Sequence, residues 1–337
     1  MADPVLDVLR RRFCNGSRAP HGDGAKVALC IEGGSMRGVI SAGMVVALEQ
    51  LGWLACFDAV YGSSAGAMNG AYFVAGQAAL GATIYHDDIN RRAFIDLLRP
   101  LRGRPILDLD FLVDEVMRKQ KPLDTARVIA SPVPLIALAT DAQTGRRHLF
   151  RDFADSRDLL GALRAGATMP IFAGPPFPHR RGHYFDALLS EPIPVPAAED
   201  DGHTHILALL TRPYSPINRT ISFTDKHLIG RRLAKVSREL GRQYMGRVEA
   251  YAALLAHIAA GRGPRGQAYV FAIRPGGYTI EKLERRRRRL VDGAAEGLQA
   301  VLTAVMDRSS LPIETHAAFD VRDRPLHVRP GLVDGGD

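Results

Sequence analysis

Ser64 lies at the centre of Gly62-Ser63-Ser64-Ala65-Gly66, a G-x-S-x-G spacing preceded by a short apolar run and followed by a helix-forming one. Residues 57–61 read as a buried strand and residues 65–74 as a helix, so the serine falls on a tight strand-to-helix turn that lifts its hydroxyl above the sheet edge. Such a turn is crowded, and the small neighbours Gly62 and Gly66 relieve the crowding. A helix N-terminus behind Ser64 offers free N–H groups and a dipole that favours the negative charge of an attacking oxygen. Taken alone the motif is also an ordinary glycine-serine turn. Its weight comes from what stands near it.

A second glycine-rich turn precedes it. Lys26 to Ile31 forms an apolar run typical of a strand buried on both faces, and Glu32-Gly33-Gly34-Ser35-Met36-Arg37-Gly38 leads from it into an apolar helix over 39–51. Consecutive glycines let backbone amides approach a ligand oxygen, which is the geometry of an oxyanion hole. A phosphate loop would need G-x-x-x-x-G-K-[ST] or G-x-G-x-x-G, and Gly33, Gly34 and Gly38 match neither. Parallel strands joined through helices put both turns at the same carboxyl edge of a sheet, so these amides are expected near Ser64. Asp186 ends a third short strand, in Gly182-His183-Tyr184-Phe185-Asp186-Ala187, where a carboxylate can act as general base. A turn or cap is the commoner role for such an aspartate.

The remaining elements are those needed to position these residues. Strands are expected at 134–140, 206–210 and 268–273, with a hairpin turn at 141–146. Helices are expected over much of 77–130, at 157–165, across 224–260 and from 279 to 306. Strands alternating with helices, without internal repeats, predict one α/β domain with a central, mainly parallel sheet. The expected organisation is a polar N-terminal extension over 1–24, a catalytic domain over 25–308 and a loose tail over 309–337.

Composition narrows the function classes. The 337 residues are 46% hydrophobic, enough for a full core. Cys14, Cys30 and Cys56 form no CxxC pair, which fits a reducing compartment, and no His/Cys pattern suggests a metal or other cofactor. The N-terminus is unlike a secretory signal and no apolar run reaches ~18 residues, so a soluble cytoplasmic protein is expected. The net charge is +8, most of it arginine, and suits anionic surfaces; the runs Arg10-Arg11-Arg12 and Arg285 to Arg289 are the expected points of peripheral contact with an anionic membrane. These runs lack interleaved aromatics, which argues against nucleic acid as a partner.

Three ordered blocks resemble the patatin-like phospholipase family. Gly33-Gly34-Ser35-Met36-Arg37-Gly38 resembles its G-G-x-[RK]-G oxyanion loop with one extra residue, Gly62-Ser63-Ser64-Ala65-Gly66 its nucleophile elbow, and Phe185-Asp186-Ala187 its D-G-[AG] segment, with alanine in place of the usual glycine. Thr140-Asp141, Thr144-Gly145 and Met169-Pro170-Ile171-Phe172 match intervening features, and the likeness covers roughly residues 25–210. The resemblance implies a three-layer α/β sandwich, a Ser64–Asp186 dyad in place of a Ser-His-Asp triad, and a lipid ester or phospholipid substrate. Arg37 is expected either to hold the loop or to attract a head-group phosphate. The competing expectations are a triad using a histidine (His183, His148, His179, His203 or His205) and, with Ala187 as its motive, a catalytically silent lipid- or anion-binding protein.

Overall fold

The computed structural model describes residues 3–214 and 229–305. The apolar runs become the strands β1 (Val27–Ile31), β2 (Ala59–Ser63), β3 (Leu135–Asp141), β4 (Arg147–Phe150), β5 (Phe177–His179), β6 (Gly182–Asp186), β7 (His205–Leu209) and β8 (Tyr269–Ile273). They form one sheet in the order β5-β6-β3-β2-β1-β7-β8, with β4 pairing on β3. The neighbours from β3 through β2, β1 and β7 to β8 are parallel. β4, β5 and β6 run antiparallel to their partners, so the sheet is mixed.

Alternation along the strands builds two cores. Val27, Leu29 and Ile31 face one side, where α1 (Pro4–Cys14), α2 (Gly38–Gln50), α3 (Ala65–Val74), α4 (Ala78–Asp87), α6 (Ser156–Ala167) and α10 (Arg287–Val305) bury their apolar residues; α5 (Thr125–Ile129) adds Val128 to the same layer. Ala28 and Cys30 face the other side, against Val195 and Ala198 of α7 (Val195–Asp200) and Leu254 and Ile258 of α9 (Arg238–Ala259), which follows the short α8 (Arg231–Val236). The strand period of two thus yields a helix–sheet–helix sandwich. Helix α10 approaches α2 closely because both carry glycine at the contact: a Cβ on Gly43 would lie 1.9 Å from the Ala294 carbonyl oxygen, and one on Gly297 the same distance from that of Ile40.

Several local expectations change. The stretch expected as a polar N-terminal extension carries an apolar helix face packed on the core. Asp3 caps α1 by accepting from the Val5 and Leu6 amides, Pro4 opens the helix, and Val5, Leu6, Val8 and Leu9 are buried against the core. Arg12, expected at a contact with an anionic membrane, is buried. Its guanidinium donates to Asp23, Asp58 and the carbonyls of Cys56 and Ala25, tying α1 to the starts of β1 and β2. Within 77–130 a long irregular loop over 88–108 separates α4 from a wide, π-type helical segment, Phe111–Gln120. The last helix starts at Arg287, not 279, because Glu284 folds back to accept from the Arg285 and Arg286 amides. β5 begins at Phe177, within the proline-rich stretch 174–178. The proposed tail over 309–337, and residues 224–228 of an expected helix, lie outside the described residues.

Candidate active site

Ser64 sits at the junction of β2 and α3 with φ 55° and ψ −127°, a conformation that favours glycine. Its neighbours make the turn feasible. A Cβ on Gly62 would lie 2.3 Å from Ala67 Cα, and one on Gly66 would lie 2.3 Å from the Ile31 carbonyl oxygen. Both elbow glycines are therefore required by close approach of backbone. The same holds at Gly33, where a Cβ would meet Ser63 O at 2.4 Å and Ser64 Cβ at 2.8 Å. The two glycine turns do lie against each other.

Asp186, at the end of β6, reaches this point from across β3. Its Oδ2 accepts from Ser64 Oγ at 2.6 Å and its Oδ1 accepts from the Leu188 amide at 2.7 Å. Its main chain is fixed as well: Asp186 N donates to Thr168 O (2.9 Å), and Thr140 Oγ1 donates to Asp186 O (2.9 Å). The carboxyl is 1% exposed and Ser64 6%. Burial pushes the Asp186 pKa up to about 6, opposed by the hydrogen bonds from Ser64 and Leu188 and by the positive charge of Lys282. Ala187 has no positive φ and its methyl group packs in the core with Leu138 and Ile193, so alanine after the aspartate is accommodated without strain.

The glycine-rich loop divides into free and occupied donors. The Met36 amide donates to Lys282 O, that of Arg37 to Gly34 O, and that of Gly38 to the Ser35 and Met36 carbonyls. The Gly33, Gly34 and Ser35 amides make no hydrogen bond among the described residues. The six-residue expectation thus narrows: Met36, Arg37 and Gly38 shape the loop, and Gly33, Gly34 and Ser35 present its available amides. Arg37 packs against Gly34, where a Cβ would lie 3.1 Å from its Nε, and that Nε donates to Thr211 Oγ1 (3.2 Å). Thr211 N in turn donates to Glu32 Oε2 (2.6 Å), and Tyr251 Oη donates to Glu32 Oε1 (2.7 Å). Arg37 thus braces the loop, and it also lines the cationic pocket beside Ser64.

Two pockets meet at Ser64 and Asp186. One is narrow and apolar, lined by Met68, Tyr72, Ile84, Phe94, Leu107, Leu112 and Met117. The other is wider and carries Arg37, Arg212, Arg247 and Lys282. The lysine ammonium makes no hydrogen bond or ion pair among the described residues, and enclosure in the cleft together with Arg37 and Arg212 lowers its pKa. Arg212 stacks on Tyr251 and leaves its buried Nε without a partner among the described residues. Arg212, Arg247 and Lys282 come from segments to which sequence reading gave no site role. No histidine lines either pocket. His148 and His179 pack around Phe150, His203 against Tyr61 and His205 against Tyr269, while His183 is exposed. Among the described residues no cluster of His, Cys, Asp or Glu is arranged to hold a metal ion.

The α/β sandwich thus carries a serine on a strained elbow, a buried carboxyl beside it and a glycine loop alongside. The chain belongs to the patatin-like phospholipase family, whose model matches residues 29–199. It is 30% identical over 191 residues to the uncharacterized protein YjjU of Escherichia coli (strain K12), a match covering 56% of this chain and 52% of that protein. The chain thus spans about half the length of the curated relative it matches. Among solved structures, VipD from Legionella pneumophila aligns with a TM-score of 0.36 and 11% identity, over 82% of this chain and 66% of that one.

Proposed function

We propose that this chain is a serine acyl hydrolase that cleaves lipid esters of the phospholipase A or lysophospholipase type, with Ser64 as nucleophile and Asp186 as general base. One observation carries the reading. The buried Ser64–Asp186 hydrogen bond stands where an apolar pocket meets a cationic one, matching an amphiphile with an acyl chain at one end and a charged head group at the other. In this mechanism Asp186 Oδ2 takes the hydroxyl proton as Ser64 Oγ attacks the ester carbonyl. The tetrahedral oxyanion is held by the Gly33, Gly34 and Ser35 amides, each worth ~3–4 kcal/mol in comparable sites. Collapse expels the alcohol, which leaves with the proton from Asp186. Water, deprotonated by Asp186, then attacks the acyl-enzyme, and Ser64 recovers its proton. The absence of histidine from both pockets supports a two-residue mechanism over a triad. The three free cysteines fit action in a reducing compartment such as the cytoplasm, and no helix among the described residues is long and apolar enough to cross a membrane.

Labelling with a fluorophosphonate probe tests the reading. Wild type is expected to label and to release fatty acid from lipid esters. Ser64→Ala should do neither, and Asp186→Asn should slow both by roughly a thousandfold or more. A folded wild type that retains lipid without labelling or turnover would instead establish the silent binder.

A further inference from the structure

Most large hydrophobic side chains exposed on the described surface stand singly, but Leu97, Leu98 and Leu101 cluster on one loop at 65%, 59% and 85% exposure. Leu97 and Leu98 precede the short 3-10 turn Arg99–Arg102 and Leu101 lies within it, in the irregular loop over 88–108. The loop is firmly built. Arg99 is turned inward, 8% exposed, and its guanidinium donates to the carbonyls of Arg92 (2.7 Å), Ala93 (2.9 Å), Ile106 (3.2 Å) and Phe94 (3.3 Å). An arginine inside and leucines outside invert the usual surface polarity. The arrangement holds apolar groups in water at a fixed place, and an exposed apolar cluster with a charged rim marks an interaction surface.

The rim is basic. Arg92 and Arg102 make no ion pair among the described residues, and Arg91 and Arg104 reach only loosely to Asp88 (3.5 Å) and Asp108 (3.7 Å). On the inner side of the same loop, Phe94 and Leu107 are buried and line the apolar pocket that ends at Ser64. Leu107 N donates to Phe172 O (2.8 Å), on the rim of the cationic pocket. We propose that Leu97, Leu98 and Leu101, with Arg92 and Arg102 around them, form a docking surface for an anionic lipid bilayer, the leucines entering the acyl region while the arginines meet the head groups. A second copy of the chain is a poorer occupant, since pairing this face with itself would oppose arginine to arginine. The expected contact runs serve less well: Arg12 is buried against Asp23 and Asp58, Arg286 and Arg289 pair with Glu284, and Arg287 pairs with Asp87.

The purpose of the surface rests on the lipid-ester reading above, but its test is separable. Co-sedimentation of the full chain with phosphatidylcholine vesicles, with and without phosphatidylglycerol, is compared for wild type, the triple variant Leu97→Ser/Leu98→Ser/Leu101→Ser, and Arg92→Glu/Arg102→Glu. Wild type is expected to bind the anionic vesicles. The triple variant should bind them roughly tenfold or more weakly, and the charge variant should lose most of the salt-sensitive part. Both variants should keep the wild-type rate on a water-soluble short-chain ester, which needs no bilayer. Vesicle binding that is lost in the triple variant, from a protein without ester turnover, would uphold the surface and sink the hydrolase reading. Wild type that ignores anionic vesicles, or a triple variant that binds as well as wild type, would overturn the surface. So would sedimentation velocity showing a dimer that the leucine substitutions dissociate without altering vesicle binding.

Discussion

Asp186 is the residue on which pH should act. Its pKa, raised from 3.8 to about 6 by burial, leaves it ionised at neutral pH and protonated in mild acid. If it is the base, kcat/KM on a soluble ester should fall about tenfold per pH unit below pH 6, a slope of one measured in a pH–rate profile. The same shift has a stability consequence of opposite sense. A carboxyl whose folded-state pKa lies above its unfolded value favours folding fully below about 3.8 and loses that contribution as pH rises through about 6. Above pH 6 the wild type therefore carries a buried charge that Asp186→Asn does not. The variant should be more stable by on the order of 2–3 kcal/mol at pH 8 and no more stable at pH 3.5, as read by urea denaturation at the two pH values. Equal stability of the two proteins at pH 8 would mean that the carboxyl is not raised. The Ser64 elbow and the glycine loop were legible in the sequence because each is a local turn whose small residues announce its geometry, whereas Asp186, at the end of a strand, stood out through the family resemblance. Which amides remain free was not legible, since the bond from Met36 N to Lys282 O depends on a segment far along the chain.

At the scale of elements, α10 matters more than its distance from the site suggests. It packs on α2, whose first turn continues the glycine loop, through contacts that only glycine permits. Gly297→Val should drive side-chain carbons into the Ile40 carbonyl and cost about 3 kcal/mol or more, lowering the urea midpoint. A valine variant with an unchanged midpoint would show that the two helices separate easily. The strands and α3 were readable because buried apolar runs and a glycine elbow are short-range signals. Helix α1 was not, because its apolar face is interleaved with arginines, and only the carboxylates of Asp23 and Asp58 show that one of those arginines points inward. The late start of α10 was equally hidden: residues 279–286 have helical character, but Glu284 spends its carboxylate on the two amides just ahead of the helix.

At the scale of the whole molecule, the site is a meeting of distant parts. Arg37 follows β1, Arg212 follows β7, Arg247 lies on α9 and Lys282 precedes α10, and all four line one pocket. No window of sequence contains them, so their convergence was invisible before the fold was known. Among the described residues, Arg37, Arg212 and Lys282 stand on this pocket against two acids, Glu32 held by Thr211 and Tyr251 and Asp186 by Ser64 and Leu188, which leaves positive charge in excess beside Ser64. Lipid esters with a net negative head group should accordingly be cleaved faster than zwitterionic ones. Lys282→Ala should raise KM for the anionic substrate roughly tenfold while leaving a neutral short-chain ester nearly unaffected. A uniform change across both substrates would remove the head-group role.

The backbone at Ser64 also has a meaning in the currency of descent. A residue held at φ 55° and ψ −127° is destabilising by roughly 1 kcal/mol or more unless it is glycine, so the fold itself gains when the serine is lost in that direction. A lineage with no use for the hydroxyl would drift there readily, since the change improves stability and clashes with nothing. Serine at this one position is thus carried at a cost to the scaffold, a cost that a glycine would remove.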